Sequence, residues 1–201
     1  MDQKSPLSVN NNHAQLKVDG KPLDAPKATA AIGYVKTSVP ASSKTFTVEK
    51  TSEDTSWGAV YAQFVQATKN ITDASNGLTV KRELLTADGK TPESLKVGDR
   101  VKMRITIEAD RDYDFVQVID KRAACLEPVR QLSGYRNGAY CTPKDNTTNY
   151  YYDMMRKGTH VIETEYNIDR TGTYETGTCT VQCAYAPEFR GTTKSQTLII
   201  K

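Results

Sequence analysis

At 201 residues, 37% hydrophobic and 25% charged, the chain has the composition of a soluble globular protein with room for one large domain or two small ones. No run of about 18 apolar residues occurs, which excludes a membrane-spanning helix. The net charge of +3 is spread among acids rather than gathered into a basic stripe interleaved with aromatics, which argues against a nucleic-acid partner.

Eleven Tyr, four Phe and one Trp, with many Thr and Val, favour strands over helices. The first nine residues are polar and are expected to fray. The start Met1-Asp2-Gln3-Lys4-Ser5-Pro6 lacks the apolar core of a signal peptide, as would any piece cut from a longer chain. Ala14 to Val18 alternates and ends at Asp19-Gly20, a hairpin-type turn with Lys21-Pro22-Leu23 returning from it. Short strands are expected at Ala31–Lys36 and at Lys44–Lys50, the latter with Phe46 and Val48 on one face. Ser56–Gln66, with Trp57, Val60, Tyr61, Phe64 and Val65, is expected to be a further strand, and Thr68–Gly77 a polar linker. Leu78–Leu85 resumes a strand before the turn at Ala87-Asp88-Gly89-Lys90.

From Lys96 the pattern is that of a sandwich. Val101, Met103, Ile105 and Ile107 alternate without interruption. In the strand Tyr113–Ile119, Phe115, Gln117 and Ile119 face opposite to Val116 and Val118. Residues 121–149 read as a long irregular excursion. Strands are expected at Tyr150–Met154, His160–Ile168, Thr178–Tyr185 and Ser195–Ile200. There is no internal repeat.

Candidate chemistry is thin. The two histidines, His13 and His160, are far apart, and the cysteines lack the two tight pairs of a structural zinc site. Asp110, Asp112 and Asp114 begin like a calcium loop, but Phe115 and Lys121 stand where that loop needs Gly and Glu. Cys125 or Cys179 with His160 is the only thiol arrangement that could suggest a nucleophile, and His160 sits within a regular strand. Glu163 and Glu165 share one strand face, which is ordinary on a half-exposed sheet. No metal, cofactor or catalytic residue is assigned.

Cys179 and Cys183 lie on one strand with Cα atoms roughly 13 Å apart, beyond disulfide reach. Of the three complete pairings of four cysteines, the two that remain join Cys125 and Cys141 to Cys179 and Cys183, pinning the excursion to the sheet. The alternative is four buried free thiols.

Trp57-Gly58-Ala59-Val60-Tyr61 resembles the W-G-A-L-Y segment near the end of bacterial α2-macroglobulin-like proteins. Leu95-Lys96-Val97-Gly98-Asp99-Arg100-Val101 resembles the opening of their last macroglobulin-type domain, and Arg122 to Pro128 with Leu132-Ser133-Gly134-Tyr135 resembles its loop. Lys157-Gly158-Thr159, Gly172-Thr173-Tyr174 and Tyr185-Ala186-Pro187-Glu188-Phe189 continue in the same order, and the forms from Bacteroides-like bacteria are the most similar.

The resemblance implies an all-β chain: residues 1–80 as part of a CUB-like β unit and 81–201 as a macroglobulin-type antiparallel sandwich of about seven strands. It implies a non-catalytic portion of an endopeptidase inhibitor of the bacterial envelope, working beside the thioester-type and macroglobulin-type domains of the same parent and meeting proteases through that parent. The family's C-x-E-Q thioester motif is not at any of these cysteines. An oxidising envelope compartment would favour disulfides. Trp57, Tyr61 and Phe64, with the 121–149 excursion, are the expected interface. The competing expectation is a free-standing adhesion or glycan-binding sandwich, which needs an exposed aromatic platform. Tyr150, Tyr151 and Tyr152 are the candidates for it, and strand alternation would expose one face of them. A hydrolase is a third reading, with no assembled triad.

Overall fold

A computed structural model describes residues 14–24, 36–51 and 58–201. The chain divides into two compact units, residues 1–64 and 65–201. The expected boundary at residue 80 therefore falls inside a strand of the second unit.

In the first unit, β1 (Gln15–Val18), β2 (Lys21–Pro22) and β3 (Phe46–Glu49) form an antiparallel sheet in the order β2-β1-β3. Asp19 and Gly20 both have positive φ, 48° and 76°, the conformation that matches a two-residue hairpin to strand twist. The Asp19 carboxylate then accepts hydrogen bonds from the backbone N–H groups of Lys44 and Thr45, both 2.9 Å. These bonds hold its carboxyl below the ordinary range. The register sets Leu16 opposite Val48 and Val18 opposite Phe46, gathering four apolar side chains on one face. Leu16, Phe46 and Val48 are nevertheless exposed.

The strand expected at Ser56–Gln66 does not form over its described part. Residues 58–66 are irregular and exposed, because the apolar positions fit no period of two and no strand lies beside them among the described residues. Trp57 and residues 31–35 of the strand expected at Ala31–Lys36 lie outside the described residues, and Lys36 is in no element.

The second unit is built of thirteen strands and one 3₁₀ turn at Thr68–Asn70. The strands are β4 (Ala74–Asn76), β5 (Leu78–Thr86), β6 (Arg100–Ala109), β7 (Tyr113–Lys121), β8 (Leu126–Pro128), β9 (Gly134–Arg136), β10 (Ala139–Pro143), β11 (Thr147–Met155), β12 (Gly158–Ile168), β13 (Gly172–Glu175), β14 (Cys179–Cys183), β15 (Arg190–Thr192) and β16 (Thr197–Ile200). Eleven of them run in the order β8-β12-β6-β5-β4-β15-β14-β7-β11-β10-β9, and β13 pairs with β16. The short β4 lets this sheet fold over. β11 and β12 then face each other across the core, joined by hydrogen bonds of Tyr150 to Thr164 and Thr148 to Tyr166.

The core follows from alternation. Val101, Met103, Ile105 and Ile107 of β6 point inward to meet Val116 and Val118 of β7, Ile162 and Tyr166 of β12 and Val181 of β14, all buried. Each such aliphatic side chain contributes about 1.5–3 kcal/mol on leaving water. The seven strands expected become thirteen because six short ones, β4, β8, β9, β10, β13 and β15, form in segments where no strand is expected. The expected linker holds β4, and the excursion holds β8, β9 and β10.

Two close approaches shape this unit. Where β15 passes β5, a Cβ on Gly191 would stand 2.6 Å from the Leu78 carbonyl oxygen. Inside the core, Arg82 Nε lies 2.8 Å from Asp120 Oδ1, tying β5 to β7. The Arg82 guanidinium also donates to the carbonyls of Gly177, at 2.9 Å, and of Lys121. Neither carboxylate oxygen of Asp120 has an aligned hydrogen bond among the described residues. Burial therefore outweighs the attraction of Arg82 and Arg122 and pushes this carboxyl up to about 6.

Candidate interaction surface

The two outer faces of the second unit differ in chemistry. On the face of β5, β6 and β12 the register aligns Glu83, Arg104 and Glu163. Arg104 Nε donates to Glu163 Oε1 at 2.7 Å, Lys102 reaches Glu163 Oε2 at 3.0 Å, and Arg100 reaches Glu165 at 2.6 Å. Lys102 and Arg104 hold the Glu163 carboxyl below the ordinary range. This is a solvated, self-paired face, and Glu163 and Glu165 are spent on it.

The opposite face, on β9, β10, β11, β7, β14 and β15, carries an uncharged row across its middle, flanked by Lys121 of β7 and Asp153 of β11. Pairing places Tyr135 beside Tyr140, Tyr140 beside Tyr151, Tyr151 beside Gln117, Gln117 beside Gln182 and Gln182 beside Arg190. The rings of Tyr135 and Tyr140 meet edge to face with centroids 5.2 Å apart. The amides of Gln117 and Asn149 approach the Tyr151 hydroxyl at 3.4 and 3.5 Å.

Two residues along β7 from Gln117, Phe115 is 52% exposed and stands edge to face with Tyr185, 82% exposed, at 5.2 Å. Phe115 has φ +54°, a left-handed conformation that costs a non-glycine residue about 1–3 kcal/mol. Every aromatic of the second unit that is more than a third exposed lies on this layer: Phe115, Tyr135, Tyr140, Tyr151 and Tyr185.

The remaining sequence candidates are placed elsewhere or are engaged. Tyr150 and Tyr152 are buried and Tyr151 is exposed. Tyr61 and Phe64 are 87% and 76% exposed on irregular chain. Asp110 accepts from Tyr113 Oη at 2.6 Å and pairs with Arg111, while Asp112 pairs with Arg156 and accepts from the Lys157 N–H, both 2.8 Å. Among the described residues no group of three His, Cys, Asp or Glu is placed to hold a metal.

The ring of His160 is 2.6 Å from the Arg156 carbonyl. Cys125, Cys141, Cys179 and Cys183 are buried free thiols. Burial raises the pKa of Cys125, of Cys141 and, most strongly, of Cys179, where Asp120 adds to it. Thiols held protonated in this way are inert as nucleophiles. The tyrosine row is set by register between strands and leaves no local pattern in the sequence, which offers Tyr151 alone as an exposed platform residue.

The sequence profile of the bacterial alpha-2-macroglobulin MG10 domain matches residues 77–188. Among solved structures, Salmonella alpha-2-macroglobulin reacted with methylamine is similar at 26% identity and a TM-score of 0.59, over 65% of this chain and 10% of that one. Native alpha-2-macroglobulin from Escherichia coli, spanning domain MG7 to the C-terminus, is similar in fold at 21% identity and a TM-score of 0.57, over 64% of this chain and 24% of that one. The match thus spans about a tenth of the Salmonella protein's length. No curated protein matches the chain.

Proposed function

The chain belongs to the family of bacterial alpha-2-macroglobulin MG10 domains, and from that premise we propose that it is the non-catalytic C-terminal scaffold of an alpha-2-macroglobulin-like endopeptidase inhibitor in the bacterial envelope. In this reading residues 1–64 are the later part of a CUB-like unit whose other strands come from elsewhere in the parent. The observation that carries it is the exposed apolar face of Leu16, Phe46 and Val48 on a three-stranded sheet, since clustered exposed apolar side chains mark a surface that packs against another part of a protein. Thioester-type and macroglobulin-type domains of the parent are its partners, contacted through Tyr61 and Phe64, with Trp57, and through the 121–149 excursion. Proteases are met through the parent.

The test is inhibition by the parent protein with and without residues 65–201. The whole parent should slow an endopeptidase acting on a large protein substrate, and the truncated parent should lose most of that inhibition. Equal inhibition by both would contradict the scaffold role.

A further inference from the structure

The uncharged row has a composition that sheet stability does not account for. Cross-strand pairing explains why Tyr135 and Tyr140 touch. It does not explain Phe115, an aromatic held in a left-handed conformation with its ring half in solvent. Nor does it explain why the acids and bases of β5, β6 and β12 give way, along the central row, to Tyr and Gln. Strained backbone and clustered exposed aromatics mark a surface that meets something.

The chemistry narrows what that is. Between Tyr135 and Gln182 the row crosses four strand spacings, roughly 19 Å at about 4.8 Å each. It carries no charge until Arg190 at its far end. A nucleic acid or acidic polymer would need cations along that length, and the core of a permanent protein interface would be more apolar. What the row offers is ring faces spaced across strands, with planar amides between them. Those amides are not saturated by the protein: the contacts of Gln117 and Asn149 to Tyr151 are at the long limit of a hydrogen bond.

We propose that Tyr135, Tyr140, Tyr151, Gln117, Gln182 and Phe115 form a binding site for a neutral polysaccharide lying across β9, β10, β11, β7 and β14. Sugar rings stack their C–H faces on the tyrosines, and sugar hydroxyls bond the amides and the Tyr151 hydroxyl. The site goes beyond the trapping role and would hold a trap near the glycan-rich surface of a cell.

The experiment is native electrophoresis of the full 201-residue chain through gels containing a soluble β-glucan, a galactomannan or a xyloglucan. At least one should retard it, and retardation should persist at high salt because no ion pair is involved. Tyr140→Ala and Tyr151→Ala should each weaken retardation at least tenfold with an unchanged unfolding midpoint, and Gln182→Ala should do so severalfold. Glu163→Gln, on the opposite face, should not. Absence of retardation by all three polysaccharides would overturn the proposal, as would full retardation of the Gln182→Ala chain together with whichever tyrosine variant folds. Protection of Tyr135 and Tyr151 from iodination in the whole parent would overturn it in favour of a protein domain covering the face.

Discussion

Two residues depart from what their positions would ordinarily hold. Phe115 takes a conformation suited to glycine and leaves half of its ring in water, so what its contact with Tyr185 adds to folding is set against backbone strain. Phe115→Gly should leave stability unchanged or raise it by up to about 1 kcal/mol, read from urea unfolding. A loss above about 2 kcal/mol would mean that the ring packs in the fold. Asp120 is the other. Burial lifts its carboxyl from 3.8 to about 6, so between those values the folded chain binds the proton more readily than the unfolded one. Its contribution to stability is full below 3.8 and is lost as pH rises through about 6. Asp120→Asn lacks that dependence. The thermal midpoint of the unsubstituted chain minus that of the variant should therefore fall as pH rises across this window, and a flat or rising difference would contradict it.

At the scale of elements, the regular strands were legible and the short ones were not. β6 and β12 declare themselves through unbroken alternation, and burial falls where that alternation puts it. β8, β9 and β10 leave no such sign, because strands of three to five residues carry too few positions to show a period. Even so, Asn137-Gly138, with φ of 50° and 80°, is a strong short hairpin signal and discloses β9 and β10. The strand expected at Ser56–Gln66 failed over its described part because β-rich composition stood in for a pairing partner. The tyrosine row could not be read at all, since no local pattern reports which residues of β9, β10 and β11 lie side by side. One fold device follows directly from the sheet's turn at β4. Gly191→Ala would press a methyl against the Leu78 carbonyl and Val181 and should destabilise by about 1–3 kcal/mol, read as a lower urea midpoint. A midpoint equal to that of the unsubstituted chain would mean that β5 and β15 can part without loss.

Taken whole, the chain is a sandwich preceded by a small sheet on which Leu16, Phe46 and Val48 are exposed. The match to the MG10 domain covers the sandwich, and the match to Salmonella alpha-2-macroglobulin spans a tenth of that protein. We therefore propose that the function lies in a larger parent, with the ion-paired face turned to water and the aromatic face turned to a ligand. The most direct measurement is an immunoblot of fractionated source cells with antibody against this chain. The account predicts a band many times larger than 22.3 kDa in the envelope fraction. A single 22.3 kDa band in the cytoplasmic fraction would contradict it.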